Sequence, residues 1–247
     1  MTSVPRAVVF DLGGTLVHWP DWDEGATVKW SAAYDHLLAT FPERRWPARE
    51  SFVAAMRQAE LAHWERVDKE HWSGPPTGLV REGFDRLGVP PSSEELIAAM
   101  DGYARAISGW GKVFPDARDV LVTLRERSYR LGLLSNTWWA ADWHNADLAT
   151  HGLSDLFDAL VYTSDLGHSK PHLAVFQEIA ERLDVAPEQC VMVGDRMIDD
   201  VSGALGAGMR AVWRRNDSGF PMSGAVPHAE IDALAELPQL LRGWGGR

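Results

Sequence analysis

Three carboxylates, a hydroxyl and an ammonium recur at the ends of short apolar runs along this 247-residue chain. Asp11-Leu12-Gly13-Gly14-Thr15 follows Ala7-Val8-Val9-Phe10, and Ser135-Asn136 follows Leu131 to Leu134. Lys170-Pro171 lies a few residues past Ala159 to Tyr162, and Gly194-Asp195 closes Cys190 to Val193, with Asp200 five residues on. A carboxylate can attack an electrophilic centre, hold it covalently and hand it to water. Several carboxylate oxygens suit a hard cation such as Mg2+, and an ammonium is another way to offset charges that would raise each other's pKa. Singly, each residue also has an ordinary reading: a turn aspartate at 11, a turn serine at 135, and acids at 195, 199 and 200 collected by a helix N-terminus. Three converging carboxylates are harder to explain that way than one.

The elements that must position these groups follow from the pattern. Apolar runs of four to five residues, each ending in a polar turn, read as buried strands, and Ala211 to Trp213 as a further one. Strands beyond Lys112 alternate with helical stretches such as Val120 to Arg127, which predicts a parallel sheet covered on both faces. Between the first strand and Gly111 the texture is helical and holds seven of the twelve tryptophans. Trp30, Tyr34, Leu37, Leu38 and Phe41 form one stripe, and Phe52, Met56 and Ala59 lie along a second helix. Gly74-Pro75-Pro76 and Pro90-Pro91 punctuate the segment, and Ser92-Ser93-Glu94-Glu95 offers a cap for its last helix. The fold class is therefore α/β: a Rossmann-like, doubly wound parallel sheet core (1–16 and 112–247) with an inserted all-α helical cap (17–111). In such a core, ligands gather at the carboxyl ends of the strands near the switch point.

The stretches VVFDLGGTLV, LGLLSNT, GHSKPHLAVF and VMVGDRMIDDVSGALGAGM, in that order and with the helix FPDARDVLVTLRERSY, resemble the haloacid dehalogenase superfamily, in the group with a helical cap after the first strand. The likeness spans the core, while the cap carries no signature. The resemblance implies a Mg2+-dependent hydrolase, foremost a phosphatase acting on a small phosphorylated metabolite through an aspartyl-phosphate on Asp11. Asp195 and Asp200 would bind Mg2+ with Asp11 and the carbonyl of Gly13. Lys170 would compensate their charge and touch the phosphoryl oxygens, Ser135 would donate its hydroxyl to the transferred group, and Asn136 would add donors. Thr15 would close the turn and support the carboxylate or the transferred group, with Gly14 permitting the tight backbone. At the junction with the cap, His18, Trp19 and Trp138 could exclude water and stack on a sugar or ring, or simply pack the domains together.

One position departs from the family's phosphatases, which carry an acid/base aspartate two residues after the nucleophile; here it is Gly13. General acid/base catalysis is worth about 10² to 10⁴ in rate, so three readings stand: a phosphatase with a good leaving group or a substitute acid such as His18, Asp21 or Asp23; a phosphonatase-like or dehalogenase-like hydrolase; or a degenerate binder of a phosphorylated ligand or a protein. The family's dehalogenases carry tyrosine at this position and lack the acidic pair, and its phosphonate-cleaving members need a cap lysine, for which Lys29 and Lys69 are available. The net charge of -11, without a basic block, disfavours nucleic acid or an anionic membrane as partner. A single cysteine, Cys190, and no leader-like or long apolar run point to a cytoplasmic protein. The Asn216-Asp217-Ser218 sequon is then idle, His168 and His172 read as turn histidines, and the glycines from Gly203 to Gly208 read as helix-sheet packing rather than a nucleotide loop.

Overall fold

The computed structural model describes residues 3–216 and 219–245; Met1, Thr2 and the Asp217-Ser218 part of the sequon lie outside them. The run Ala7-Val8-Val9-Phe10 is wholly buried as β1 (Ala7–Phe10). Strand periodicity sends Val8 and Phe10 into the core on one side of the sheet and Ala7 and Val9 into the core on the other. The chain then makes β2 (Val17–His18), four helices, α1 (Trp22–Thr40), α2 (Arg49–Glu70), α3 (Pro76–Arg86) and α4 (Ser93–Ile107), and returns through β3 (Lys112–Val113). β2 and β3 pair antiparallel, Val17 opposite Val113, so the way into the helical segment and the way out are neighbours.

Beyond this ribbon the chain forms α5 (Ala117–Glu126), β4 (Arg130–Ser135), α6 (Ala141–Thr150), β5 (Ala159–Tyr162), α7 (Leu173–Arg182) and β6 (Cys190–Gly194). It finishes with α8 (Gly203–Gly206), β7 (Arg210–Arg214), β8 (Ala229–Ile231) and α9 (Leu237–Gly243). Six strands make one parallel, Rossmann-like sheet in the order β5-β4-β1-β6-β7-β8. Strand order reverses at β1, so the carboxyl ends of β1, β4 and β6 lie side by side at the switch point.

Local chemistry explains the helical segment. Ser92 accepts the Glu95 N–H at 3.2 Å while the Glu95 carboxylate accepts the Ser92 N–H at 2.8 Å, a reciprocal cap that starts α4. Pro76 opens α3, where its missing N–H costs nothing. On α1 the buried face is Ala26, Lys29, Trp30, Ala33, Tyr34 and Leu37, whereas Leu38, expected in that stripe, is exposed because it is turned about 100° away from Leu37. The alanines let α4 approach so closely that a Cβ on Gly102 would fall 2.7 Å from the Ala33 Cα. Trp138 and Trp139, from the loop after β4, also enter this helical core. Among the described residues, no helix is long and apolar enough to cross a membrane.

Candidate active site

Each charged group of the site stands on the end of a sheet strand or the turn beside it. Asp11 follows β1, and its N–H donates to the Val193 carbonyl of β6 at 2.9 Å. Asp195 follows β6, and Asp200 sits in the single π-helical turn Met197–Ser202, where its carboxylate accepts the Arg196 N–H at 2.9 Å. The Lys170 ammonium, 1% exposed, donates to Asp11 Oδ1 and Asp200 Oδ1, both at 2.6 Å, and to the Leu134 carbonyl of β4 at 3.0 Å. All three of its protons are thereby used. Carboxylate oxygens of Asp11, Asp195 and Asp200 lie within 4.8 Å of one another, all buried. Burial raises the Asp11 carboxyl to about 7, against the pull of Lys170, and the Asp200 and Asp195 charges push the same way. Asp195 is likewise raised, by burial and then by Asp200. Burial works against the Lys170 ammonium, yet the Asp11 and Asp200 charges outweigh it and hold the amine well above its ordinary pKa. Three carboxylates against one ammonium leave two uncompensated negative charges on an oxygen-only donor set. That set fits a hard divalent cation.

The loop after Asp11 is shaped around Asp195. Gly14 has φ +78°, and a Cβ there would lie 2.4 Å from an Asp195 carboxylate oxygen. Gly14→Ala is therefore expected to displace Asp195, to cost more than 1 kcal/mol of stability from the positive φ alone, and to abolish turnover; urea unfolding and a rate assay on the same sample check both. The Thr15 hydroxyl points to Asp195 Oδ1 at 3.4 Å, so it supports Asp195 rather than Asp11 or a transferred group. The turn, closed by Leu16 and Val17 N–H groups on the Leu12 carbonyl, aims the hydroxyl toward β6. Asn136 also differs from expectation. Its side-chain amide is committed to the Lys170 backbone, accepting the N–H at 2.7 Å and donating to the carbonyl at 3.0 Å, so it positions the lysine. Asp199 turns to Arg196, 3.1 Å away.

Sequence reasoning missed the end of β7. Trp213 Nε1 donates to the Asp195 carbonyl at 3.0 Å, Asn216 donates to the Asp195 carboxylate at 2.7 Å, and the buried Arg214 donates to the Gly14 carbonyl at 2.7 Å. The rule that singled out the other strand ends, a polar cluster after an apolar run, applies equally to Ala211 to Trp213.

A cavity of about 880 Å³ opens above these strand ends, with Asp11, Ser135, Lys170 and Asp195 in its floor. Ser135 is buried at the last position of β4. His18 and Trp19 both line the cavity, and the Trp19 ring lies so close over Gly13 that a Cβ there would meet its Cζ3 at 3.1 Å. Trp138 lines it too, although only 1% exposed. Its ring stacks on Trp30 at 5.7 Å and its Nε1 donates at 3.3 Å to the buried Glu60, which also accepts from Trp30 Nε1, so it packs the helical core rather than offering a substrate surface. Asp23 pairs with Arg57 at 2.8 Å, and neither it nor Asp21 lines the cavity, which removes both as substitute acids. His144, unremarked in the sequence, is buried between Trp139 and Tyr162 against the Thr137 hydroxyl at 2.8 Å, and burial pushes its pKa down to about 3. Lys29 lies over the Trp110 ring and Lys69 pairs with Glu65 at the surface; of the described lysines only Lys170 lines the cavity. His168 and His172 stack on each other at 3.8 Å outside it, and Gly203 packs under Phe176, where a Cβ would fall 2.5 Å from the ring.

A family profile for haloacid dehalogenase-like hydrolases matches residues 5–208. Among curated proteins, the glyceraldehyde 3-phosphate phosphatase of Methanopyrus kandleri is 32% identical over 212 residues, 79% of this chain and 88% of that protein. The phosphoserine phosphatase of Thermus thermophilus is 33% identical over 215 residues, 85% of this chain and 81% of that protein. Among solved structures, a 2-haloacid dehalogenase of Pseudomonas syringae superposes with a TM-score of 0.71 at 27% identity, covering 98% of this chain and 100% of that one.

Proposed function

The chain belongs to the haloacid dehalogenase-like hydrolases, and from that premise we propose that it is a Mg2+-dependent phosphatase of a small phosphorylated metabolite, working through an aspartyl-phosphate on Asp11. The observation that carries this reading is the cluster of three buried carboxylates around one ammonium, two charges short of neutrality. Asp11 and Asp195, with the Gly13 carbonyl, would hold Mg2+, and Asp200 would complete the set directly or through Lys170. Bound there, the ion supplies charge compensation for phosphoryl oxygens.

The chain's own groups carry the rest. Lys170 fixes one Asp11 oxygen at 2.6 Å, which leaves the other oxygen for attack on phosphorus. Ser135, in the cavity floor, donates its hydroxyl to the transferred group, and Asn136 keeps Lys170 in place through its backbone. Two of the similar curated proteins are phosphatases of small metabolites. Dehalogenase-like chemistry, suggested by the similar haloacid dehalogenase structures, is disfavoured by the acidic pair and by Gly13. A phosphonatase-like Schiff base would need a second lysine in the cavity, and Lys29 and Lys69 are both engaged elsewhere.

The test is inorganic phosphate release from a panel of phosphomonoesters with Mg2+ and with a chelator. Turnover is expected only with the metal, and Asp195→Asn is expected to lose it and to weaken the upward shift in melting temperature on adding Mg2+. Chelator-indifferent phosphate release would overturn the metal assignment. An absence of turnover accompanied by tight phosphate binding would favour the degenerate binder.

A further inference from the structure

Resting on the phosphatase reading above, we propose that the substrate carries its phosphate on an aromatic ring, the ring lying against Trp19, Trp22, Trp64, Trp139 and Phe114. With a phosphoryl group at Asp11, the remainder of the molecule has to fill the cavity these residues wall. A sugar or amino-acid phosphate needs convergent polar partners there. Most of the cavity's polar side chains below the exposed His18 and Asp68 are engaged already: Thr137 with His144, Asn136 with Lys170, Arg196 with Asp199, and Asn216 with Asp195. What the cavity presents instead is an aromatic wall. Trp22 is stacked between Trp110 and Trp139, and Trp139 between Trp22 and His144, so both offer the cavity their edges, and Trp19 stands edge-on to them at 78° and 83°. A flat ring meets such edges in the T-shaped arrangement that aromatic pairs favour.

The second observation concerns the oxygen that leaves. Gly13 has no side chain, and the atoms covering it are Trp19 Cζ3 and Cε3, while the Trp19 indole nitrogen lies on the far side, near Gly111. Carbon rather than a proton donor therefore covers Gly13 itself, and His18, elsewhere in the same lining, packs its ring 5.2 Å from Phe114. An aryl oxygen does not need one. The Asp11 carboxylate forms the new O–P bond, the aryl O–P bond breaks, and its electron pair departs on the phenolate. Water then attacks phosphorus, the carboxylate leaves, and the proton that water gives up neutralises the phenolate, so that aryl phosphate and water yield a phenol and inorganic phosphate. An alkoxide, with its far higher pKa, departs slowly from the same site.

The decisive measurement is kcat/KM of the Mg2+-loaded protein on phenyl, 1-naphthyl, benzyl, glyceryl and acetyl phosphates. Phenyl and naphthyl phosphates are expected to exceed glyceryl phosphate by about 10² or more. Benzyl phosphate, which keeps the ring but leaves as an alkoxide, should match phenyl phosphate in KM and fall behind in kcat. Trp19→Leu should shrink the aryl-to-glyceryl ratio about fivefold through the aryl KM. Glyceryl or acetyl phosphate matching or exceeding the aryl esters overturns the aromatic assignment and leaves the phosphatase reading standing. No phosphate from any of the five overturns the phosphatase reading itself.

Discussion

Asp11→Asn is expected to remove phosphate release by at least about four orders of magnitude while leaving the fold intact. The amide keeps the volume of the carboxyl but is not a nucleophile. It also relieves the cluster, because one of three crowded negative charges disappears from a buried site. Lys170 keeps two of its three partners, Asp200 and the Leu134 carbonyl, so no buried charge is stranded. In chelator the variant should melt no lower than the wild type, and its stabilisation by added Mg2+ should be smaller, since one anionic ligand is gone. Measured turnover close to wild type would sink the nucleophile assignment. A lowered melting temperature in chelator would show that the Asp11–Lys170 contact stabilises the fold more than the charge crowding opposes it.

Lys170→Met should have the largest effect on stability. The substitution keeps the apolar stem and removes the only ammonium among three carboxylates, leaving Asp11 and Asp200 buried without their partner. Stranding a buried charge in this way costs about 3–5 kcal/mol. The sign of the pH dependence follows from which state holds more protons. In the variant the folded carboxyls have pKa values above their unfolded ones, so the folded state binds more protons. Stability then rises as pH falls toward the unfolded carboxyl pKa, and the deficit is largest above the raised folded values. Urea midpoints at pH 8 and pH 5.5 should therefore show a wide gap from wild type at the higher pH and a narrower one at the lower. A gap independent of pH would mean that lost packing, not charge, causes the destabilisation. Activity should be lost throughout, because the freed Asp11 no longer has a fixed orientation.

The strand-end acids were legible because a buried parallel strand announces itself locally: four or five apolar residues, then a polar turn. Asp11, Ser135, Asp195 and Asp200 could be located this way without knowing what they touch, and Lys170 a few residues beyond its run. Their partners could not. Arg214 under Gly14 and Asn216 on Asp195 depend on β7 lying beside β6, a fact of sheet order rather than of sequence spacing. The ribbon of β2 and β3 was invisible because two residues carry no periodicity, and β8 is only three residues long. Thr15, Asn136 and Trp138 are legible as residues but not in their contacts, although packing was one of the two readings for Trp138. Each makes its principal contact across the fold: Thr15 to β6, Asn136 to the Lys170 backbone, and Trp138 to Glu60 on α2. Leu38 shows the limit of a helical stripe, since one residue's rotation separates a buried from an exposed side chain.

The two-residue ribbon has a consequence for how such a protein can change over generations. Because Val17 and Val113 face each other across a hydrogen-bonded pair, everything between them enters and leaves the sheet domain through one narrow seam. Lengthening, shortening or replacing that stretch need not disturb the register of the six-stranded sheet, so the helical segment can diverge while the strand ends that carry the acids are kept. Trp138 and Trp139 qualify this freedom, for they follow β4 of the sheet yet pack among the helices. A lineage that swapped the helices would have to rewrite those two codons as well, or else carry two large indoles facing water.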